Sequence, residues 1–208
     1  MIHAYDKNYL EKARIMLGRM LDYAVYDLNI SAKEMMNLFI ASPYSRKFES
    51  GDTSLLSGKS GVELACEIVG RFDVSQRPVS DRSPEYWAGW ALAYYQWYTR
   101  LPFSRIIEFA DTDTVINMYL KYHETDISKF VDRLNELYKE HFTDCNLKRI
   151  RLQSGLSQSE LSELSGVPVR TIQQYEQRQK NINAAKAETV IALSIALSCR
   201  AEELLETL

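Results

Sequence analysis

The chain contains little cysteine. Its three cysteines, Cys66, Cys145 and Cys199, are odd in number and lie far apart in the sequence. A disulfide framework or a zinc site needs cysteines in pairs or at short, defined spacings, so this pattern supports neither. We therefore expect a protein of the reducing cytoplasm.

A secretion signal and a long hydrophobic run are also lacking. The first residues show neither a basic segment nor the apolar segment that follows it in a signal peptide. The longest apolar run lies within residues 83–98 and extends over about 13 residues, whereas a helix needs about 20 to span a bilayer. Because 46% of all residues are nonetheless hydrophobic, we expect a folded core and no membrane association.

The chain has no overall excess of positive charge, since its formal net charge is −3. The charge is unevenly divided, however. Residues 1–144 hold 17 Lys+Arg against 21 Asp+Glu, a net charge of −4, and residues 145–208 hold 8 against 7, a net charge of +1. Positive side chains are concentrated in residues 145–180, where contact with phosphate is therefore favoured. The acidic remainder would be repelled by DNA and is expected to face another partner.

No arrangement of residues supports catalysis. The run Ser57-Gly58-Lys59-Ser60 resembles the end of a phosphate-binding loop, but that motif needs a glycine five residues before Gly58, where Thr53 stands. His123, Glu124 and Asp126 lie close in sequence, yet no second His or Cys stands at helical spacing from them. We expect a protein that is not an enzyme and that needs no metal or cofactor.

The sequence predicts the start of a helix near the carboxyl end of the chain. Ser157 and Glu160 have the spacing of a capping box, which satisfies two amide donors at once and predicts a helix that begins at Gln158. Leu161 and Leu164 are predicted to form the apolar face of this helix.

A tight turn and a second helix are predicted to follow. Gly166 can adopt the positive φ that ends a helix, and Pro168 favours a helix start at or near its own position. In the second helix, 169–177, Ile172 and Tyr175 fall on one side at about 100° per residue, and Glu176 joins them. Arg and Gln side chains fall on the opposite side: Arg170, Gln173, Gln174 and Gln177. Such side chains pair bidentately with guanine or adenine edges, so this helix suits the DNA major groove.

Residues 147–208 resemble the phage-repressor, Cro-type (XRE-like) helix-turn-helix domain, a bundle of five helices like that of lambda repressor. Besides the motif residues above, Arg151 and Glu176 stand where the family has a buried ion pair. The resemblance implies that the bases are approached by Val169, Arg170, Thr171, Gln173 and Gln174. It also implies phosphate contacts from Gln158 and from the segment Arg178 to Lys180.

The sequence departs from the family pattern just after the second helix. The family often has glycine two residues after the glutamate and Asn-Pro soon afterwards, whereas this chain has Arg178 and Asn181-Ile182. A slightly longer link, 181–186, is therefore expected before the fourth helix.

The amino-terminal residues also show helical patterns. Apolar residues at spacings of three and four form a stripe in the first segment: Leu10, Ala13, Leu17, Met20, Leu21, Ala24 and Leu28. Helices are predicted over residues 8–28, 31–42, 45–50, 61–71, 84–98, 104–109, 114–122 and 127–142. Loops are predicted at 51–58 and 73–82.

The segment 83–98 is the most aromatic part of the chain. Ser83 as N-cap and Pro84 at the first helical position define the start of a helix. Its rings include Trp87, Trp90, Tyr94 and Trp97. Aromatic residues on nearly all sides favour the central helix of a bundle, while a groove that binds a partner through Trp and Tyr anchors is the alternative.

These patterns together predict an all-α protein with a helical interaction domain at 1–144 and a DNA-binding domain at 145–208. The expected function is that of a dimeric repressor that binds a pseudo-palindromic site on double-stranded DNA. The amino-terminal segment, around 83–98 and 123–130, looks like the helical region that accompanies some bacterial Cro-type regulators encoded beside toxin-like genes. This likeness implies the alternative of an antitoxin that binds a toxin and regulates its own promoter.

Overall fold

The computed structural model describes residues 3–71, 83–142 and 144–206. Within these ranges the regular secondary structure is helical and no strand occurs, which confirms the predicted all-α class. None of the helices in these ranges has both the length and the hydropathy needed to cross a membrane. The loop predicted at 73–82 lies outside the described residues.

The chain divides into two compact units, Met1–Tyr138 and Lys139–Leu208. The domain boundary after residue 144 stays a prediction. The helices that begin in the first unit are α1 (Leu10–Tyr26), α2 (Ala32–Ala41), α3 (Pro43–Glu49), α4 (Thr53–Leu56), α5 (Gly61–Val69), α6 (Pro84–Thr99), α7 (Phe103–Phe109), α8 (Thr112–Asn117), α9 (Tyr119–Tyr122) and α10 (Ile127–His141).

Helix α1 lies against α5 and α6 in the core of the first unit. Every residue of its predicted apolar stripe is buried, including Leu28 just beyond the helix end. The stripe covers one side of a helix because residues three and four apart lie on the same face. The prediction of a core-facing first helix is confirmed.

Helix α6 begins where the sequence indicates. The Ser83 hydroxyl accepts a hydrogen bond from the Tyr86 amide at 3.0 Å, and Pro84 occupies the first turn. The same hydroxyl donates to Asp22 on α1 at 2.6 Å, so the cap also joins the two helices. Local capping therefore sets both the start of α6 and its position against α1.

Two predicted elements of this unit are wrong. The loop expected at 51–58 contains the short helix α4, which Asp52 caps and which buries Leu55 and Leu56. The single helix expected at 114–122 is two helices, because the Met118 amide bonds to the Val115 carbonyl three residues back. In both places tertiary burial and a tightened turn override the local pattern.

The second unit contains the predicted bundle of five helices. They are α11 (Asn146–Gln153), α12 (Gln158–Ser165), α13 (Val169–Glu176), α14 (Ala187–Ala196) and α15 (Ala201–Leu204). Aliphatic side chains from all five meet in one core, and Leu161, Ile172 and Leu193 are completely buried in it. This core packs α12 and α13 against each other.

Candidate nucleic-acid interface

Helix α12 begins at Gln158 as predicted. The Ser157 hydroxyl accepts from the Glu160 amide at 3.1 Å, and the Glu160 carboxylate accepts from the Ser157 amide at 2.7 Å. These two bonds form the predicted capping box, and they lower the pKa of Glu160 because both favour its charged form. The start of α12 is therefore determined by its own first turn.

The apolar face of α12 is narrower than the sequence indicates. Leu161 is completely buried, but Leu164 is 63% exposed, so the prediction that both face the core is wrong. At about 100° per residue the two side chains diverge by roughly 60°, and only Leu161 points to the core between α13 and α14. Leu164 stays on the surface.

The turn between α12 and α13 has the predicted geometry. Gly166 adopts a φ of 69°, and its amide donates to the Ser162 carbonyl at the end of α12. Pro168 stands at the N-cap with a φ of −55°, and α13 begins at Val169. Glycine is favoured here because other residues adopt a positive φ only at a cost.

Helix α13 buries one side and exposes the other. Ile172, Tyr175 and Glu176 are buried, as the helical spacing predicts, and Arg170 is exposed. The four remaining candidates for base contact are half-buried: Val169, Thr171, Gln173 and Gln174. Within the described residues, Arg170 forms no ion pair, so its guanidinium is available to an external acceptor.

Arg151 on α11 and Glu176 at the end of α13 form the expected ion pair. The Arg151 Nε and Nη2 donate to Glu176 Oε1 and Oε2 at 2.6 Å and 2.8 Å, in a bidentate arrangement. The side chains are only 7% and 2% exposed, and this bonding raises the pKa of Arg151. A third bond, from Arg151 Nη1 to the Leu156 carbonyl at 2.7 Å, fixes the chain before α12. The pair therefore joins α11 to α13 and holds the segment that leads into α12.

Gln158, a predicted phosphate contact, is also part of this network. Its Nε2 donates to Glu176 Oε2 at 2.7 Å, and its Oε1 accepts from Gln173 Nε2 at 3.4 Å. The side chain is half-buried at the start of α12. The structure thus connects the first residue of α12 to α13, a link that spacing alone did not indicate.

The segment after α13 is exposed and carries two cations. Arg178 has a φ of 56°, in the left-handed region, at the position where the resembled family often has glycine. Its Nη2 lies 3.8 Å from Glu206 Oε2, and Lys180 forms no ion pair within the described residues. The predicted link at 181–186 forms a single 3-10 turn, Ile182–Ala184, anchored by the buried Ile182. Both cations lie beside the end of α13, but Arg178 also donates to the Phe142 carbonyl at 3.4 Å and so already has partners within its own unit.

The aromatic helix of the first unit is mostly core. Trp87 and Trp97 are 7% and 4% exposed, in agreement with a central helix. Trp90 and Tyr94 are half-buried, and the Arg14 guanidinium lies 3.1 Å from the Trp90 ring centroid. A partner that binds these two rings stays a prediction.

Comparison with known proteins agrees with the motif. Residues 147–204 match a family model described as Helix-turn-helix, of the XRE type. No curated protein and no solved structure gives a significant match to the chain. The match supports a DNA-binding regulator of transcription, and it coincides with the unit that carries α12 and α13.

Proposed function

We propose that this chain, a DNA-binding regulator with an XRE-type helix-turn-helix domain, is a sequence-specific repressor that binds double-stranded DNA as a dimer. The proposal is carried by α13, which buries Ile172 and Tyr175 and leaves Arg170 exposed without an ion pair in the described part of the chain. A helix held in this way can enter the major groove with its polar side towards the bases.

The side chains of α13 suit different base edges. Arg170 can donate two hydrogen bonds to guanine O6 and N7, and Gln174 can pair with adenine N6 and N7. The methyl groups of Val169 and Thr171 suit the thymine methyl group. Gln173 donates a hydrogen bond to Gln158. A contact between Gln173 and a base would either be added to this bond or replace it.

Phosphate contacts are proposed on both sides of α13. Gln158 lies at the start of α12, where the helix dipole and the first amides that the capping box does not use favour an anion. Arg178 and Lys180 follow α13 and are exposed. Such contacts set the position of the protein on the duplex but carry no direct sequence information.

Two substitutions test these roles. We expect Arg170→Ala to cost about 1–3 kcal/mol on the operator and to leave binding to random DNA nearly unchanged. We expect Lys180→Ala to weaken both and to reduce the slope of log K against log salt by about one unit. The measurement is fluorescence anisotropy with an operator found by footprinting the promoter of the protein's own gene.

Arg200→Ala provides the matched control, because Arg200 is an 81% exposed cation before α15 and pairs with Glu203. It removes the same charge but should leave sequence discrimination unchanged. Equal losses on operator and random DNA for Arg170→Ala would contradict base reading by α13.

The dimer is proposed because one module buries too little DNA-facing surface for tight binding, about 600–1,000 Å². Two copies on half-sites one helical turn apart bury about twice as much surface and can bind tightly. The surface that we assign to the second copy is the outer face of α14, where Ile191 and Ile195 are 51% and 72% exposed one turn apart. Helix α14 is apolar on nearly all sides, which is typical of a helix covered on two faces.

A second candidate function is that of an antitoxin. It is favoured by the acidic charge of residues 1–144 and by Leu120, which is 86% exposed on α9. Co-expression of the full chain with the protein encoded by the neighbouring reading frame tests it. A stable complex that Leu120→Glu disrupts would support this function, whereas separate elution of the two proteins would exclude this pair.

A further inference from the structure

The first unit contains a cavity that DNA binding does not use. Its volume is about 220 Å³, and it is lined by ring-bearing side chains: Tyr86, Trp87, Trp90, Tyr119 and His123. One water molecule takes about 30 Å³ in the liquid, so the cavity has room for a small organic molecule. Three of the rings come from α6, and the other two come from α9 and the residue that ends it.

The rings of this cavity are held by their neighbours. His123 stacks on Tyr119 with centroids 4.2 Å apart, and His123 Nδ1 lies 2.8 Å from the Tyr119 carbonyl oxygen. Trp87 meets Tyr119 edge to face at 5.9 Å and packs in the same way on Phe130. The cavity is therefore preformed, and a ligand would not have to order its walls.

The lining favours a positively charged ligand. The faces of aromatic rings carry a negative electrostatic potential that attracts cations. Trp90 already shows this interaction, because the Arg14 guanidinium lies 3.1 Å from its ring centroid. A carboxylate stands beside the lining, since Glu124 Oε1 is 3.5 Å from His123 Nε2 and its side chain is 85% exposed.

We propose that this cavity binds a small organic cation with a methylated or quaternary ammonium group, seated against the rings of Trp87 and Tyr119, beside the Trp90 ring that the Arg14 guanidinium covers on one face. Neutral alkyl groups would gain only from burial, whereas an ammonium group gains from burial and from the ring faces. The acidic character of residues 1–144, with a net charge of −4, adds long-range attraction. This inference is independent of the proposed repressor function.

A comparison of two ligands of equal shape tests the proposal. Choline and its neutral analogue, in which a quaternary carbon replaces the nitrogen, are titrated into the full chain. Tryptophan fluorescence is a suitable signal because two of the three tryptophans line the cavity. We expect choline to bind about tenfold more tightly or better, from the cation–π contribution. Equal affinities, or no binding of choline at concentrations that leave the far-UV circular dichroism unchanged, would overturn the proposal.

A matched pair of variants locates the site. Tyr119→Leu keeps an apolar side chain but removes a ring face, and it should abolish the preference for choline over the neutral analogue. Tyr98→Leu changes another half-buried tyrosine, on α6 but outside the lining, and it should keep the preference. If Tyr119→Leu does not fold, the ligand comparison on the wild type still decides the question. A preference that survives Tyr119→Leu and disappears in Tyr98→Leu would place the cation elsewhere.

Discussion

At the scale of single residues, the DNA-binding unit depends on one buried carboxylate. Glu176 accepts hydrogen bonds from Arg151 and Gln158, and so it connects the helices before and within the motif. Burying a charge in this way is costly unless its partners are complete, and the loss of one partner leaves the other charge uncompensated. The ion pair therefore makes the geometry of α12 and α13 dependent on a single network.

Arg151→Met tests this dependence. We expect it to destabilise the unit by about 3–5 kcal/mol, since Glu176 is left buried without its cation. The double variant Arg151→Met/Glu176→Met should recover much of this loss, because no buried charge remains. Hydrogen exchange in peptides from residues 147–204 of the full chain is the right measurement, because all three tryptophans lie on α6 and fluorescence reports on the other unit.

The control for this pair is Arg149→Met on the same helix, because the Arg149 guanidinium donates to the uncharged side chains of Asn146 and Gln153, at 3.3 Å and 3.4 Å, and forms no ion pair within the described residues. Arg149→Met should change the hydrogen-exchange protection of peptides from residues 147–204 little. Equal losses in the single and the double variant at 151 and 176 would show that an uncompensated carboxylate is not the cause.

At the scale of helices, the first unit depends on the close approach of α1 and α6. A Cβ atom at Gly89 would lie 2.5 Å from the Leu17 carbonyl oxygen and 2.9 Å from the Gly18 Cα. These are backbone atoms and cannot turn aside as a side chain does. The two helices can therefore pack at this distance only with glycine at position 89.

The expected effect of Gly89→Ala on stability is opposite in sign to the effect that helix propensity alone predicts. Propensity alone favours alanine over glycine by about 1 kcal/mol inside a helix. We expect instead a loss of about 3 kcal/mol, because the helices must separate to admit the methyl group. Urea unfolding, monitored by tryptophan fluorescence, measures this loss in the free energy of unfolding. A stabilised variant would contradict the close packing of α1 against α6.

Gly70→Ala is the control for this substitution. Gly70 ends α5 with a φ of 71°, and a Cβ there would meet nothing within 4 Å. Alanine should cost about 1–2 kcal/mol from the left-handed backbone alone. The native fluorescence spectrum should stay unchanged in this variant and change in Gly89→Ala.

At the scale of the whole molecule, tight operator binding is proposed to require two chains. The outer face of α14, with Ile191 and Ile195, is the surface assigned to the second copy. We expect Ile195→Lys to lower the affinity for a complete operator by about 10² or more, because the two half-sites are then bound independently. Binding to a single half-site should not change, and anisotropy titrations of both DNA lengths measure the difference.

Leu120→Lys is the control for the dimer surface. It places the same charge at an 86% exposed leucine of the first unit, where no role in the DNA-bound dimer is proposed. Its cooperative binding should equal that of the wild type. A wild-type level of cooperativity in Ile195→Lys would remove α14 from the interface.

Local patterns in the sequence predicted the starts of several helices and the buried sides of α1 and α13. Ser157 with Glu160 and Ser83 with Pro84 start helices through bonds within one turn, so no distant residue is needed. The spacing of Ile172 and Tyr175 indicated the buried side of α13, and the resemblance to a known family indicated the Arg151–Glu176 pair. The identity of the bases and phosphates that α13 contacts stays a prediction.

Which surfaces meet depends on contacts between distant parts of the chain. Leu164 and Leu161 are both leucines of α12, yet Leu164 is exposed because its side chain is turned by about 60° from the direction in which Leu161 meets the core. The link of Gln158 to Glu176 and the close approach at Gly89 join residues far apart in the chain. Such contacts depend on how whole helices pack, and neither local spacing nor propensity contains that information.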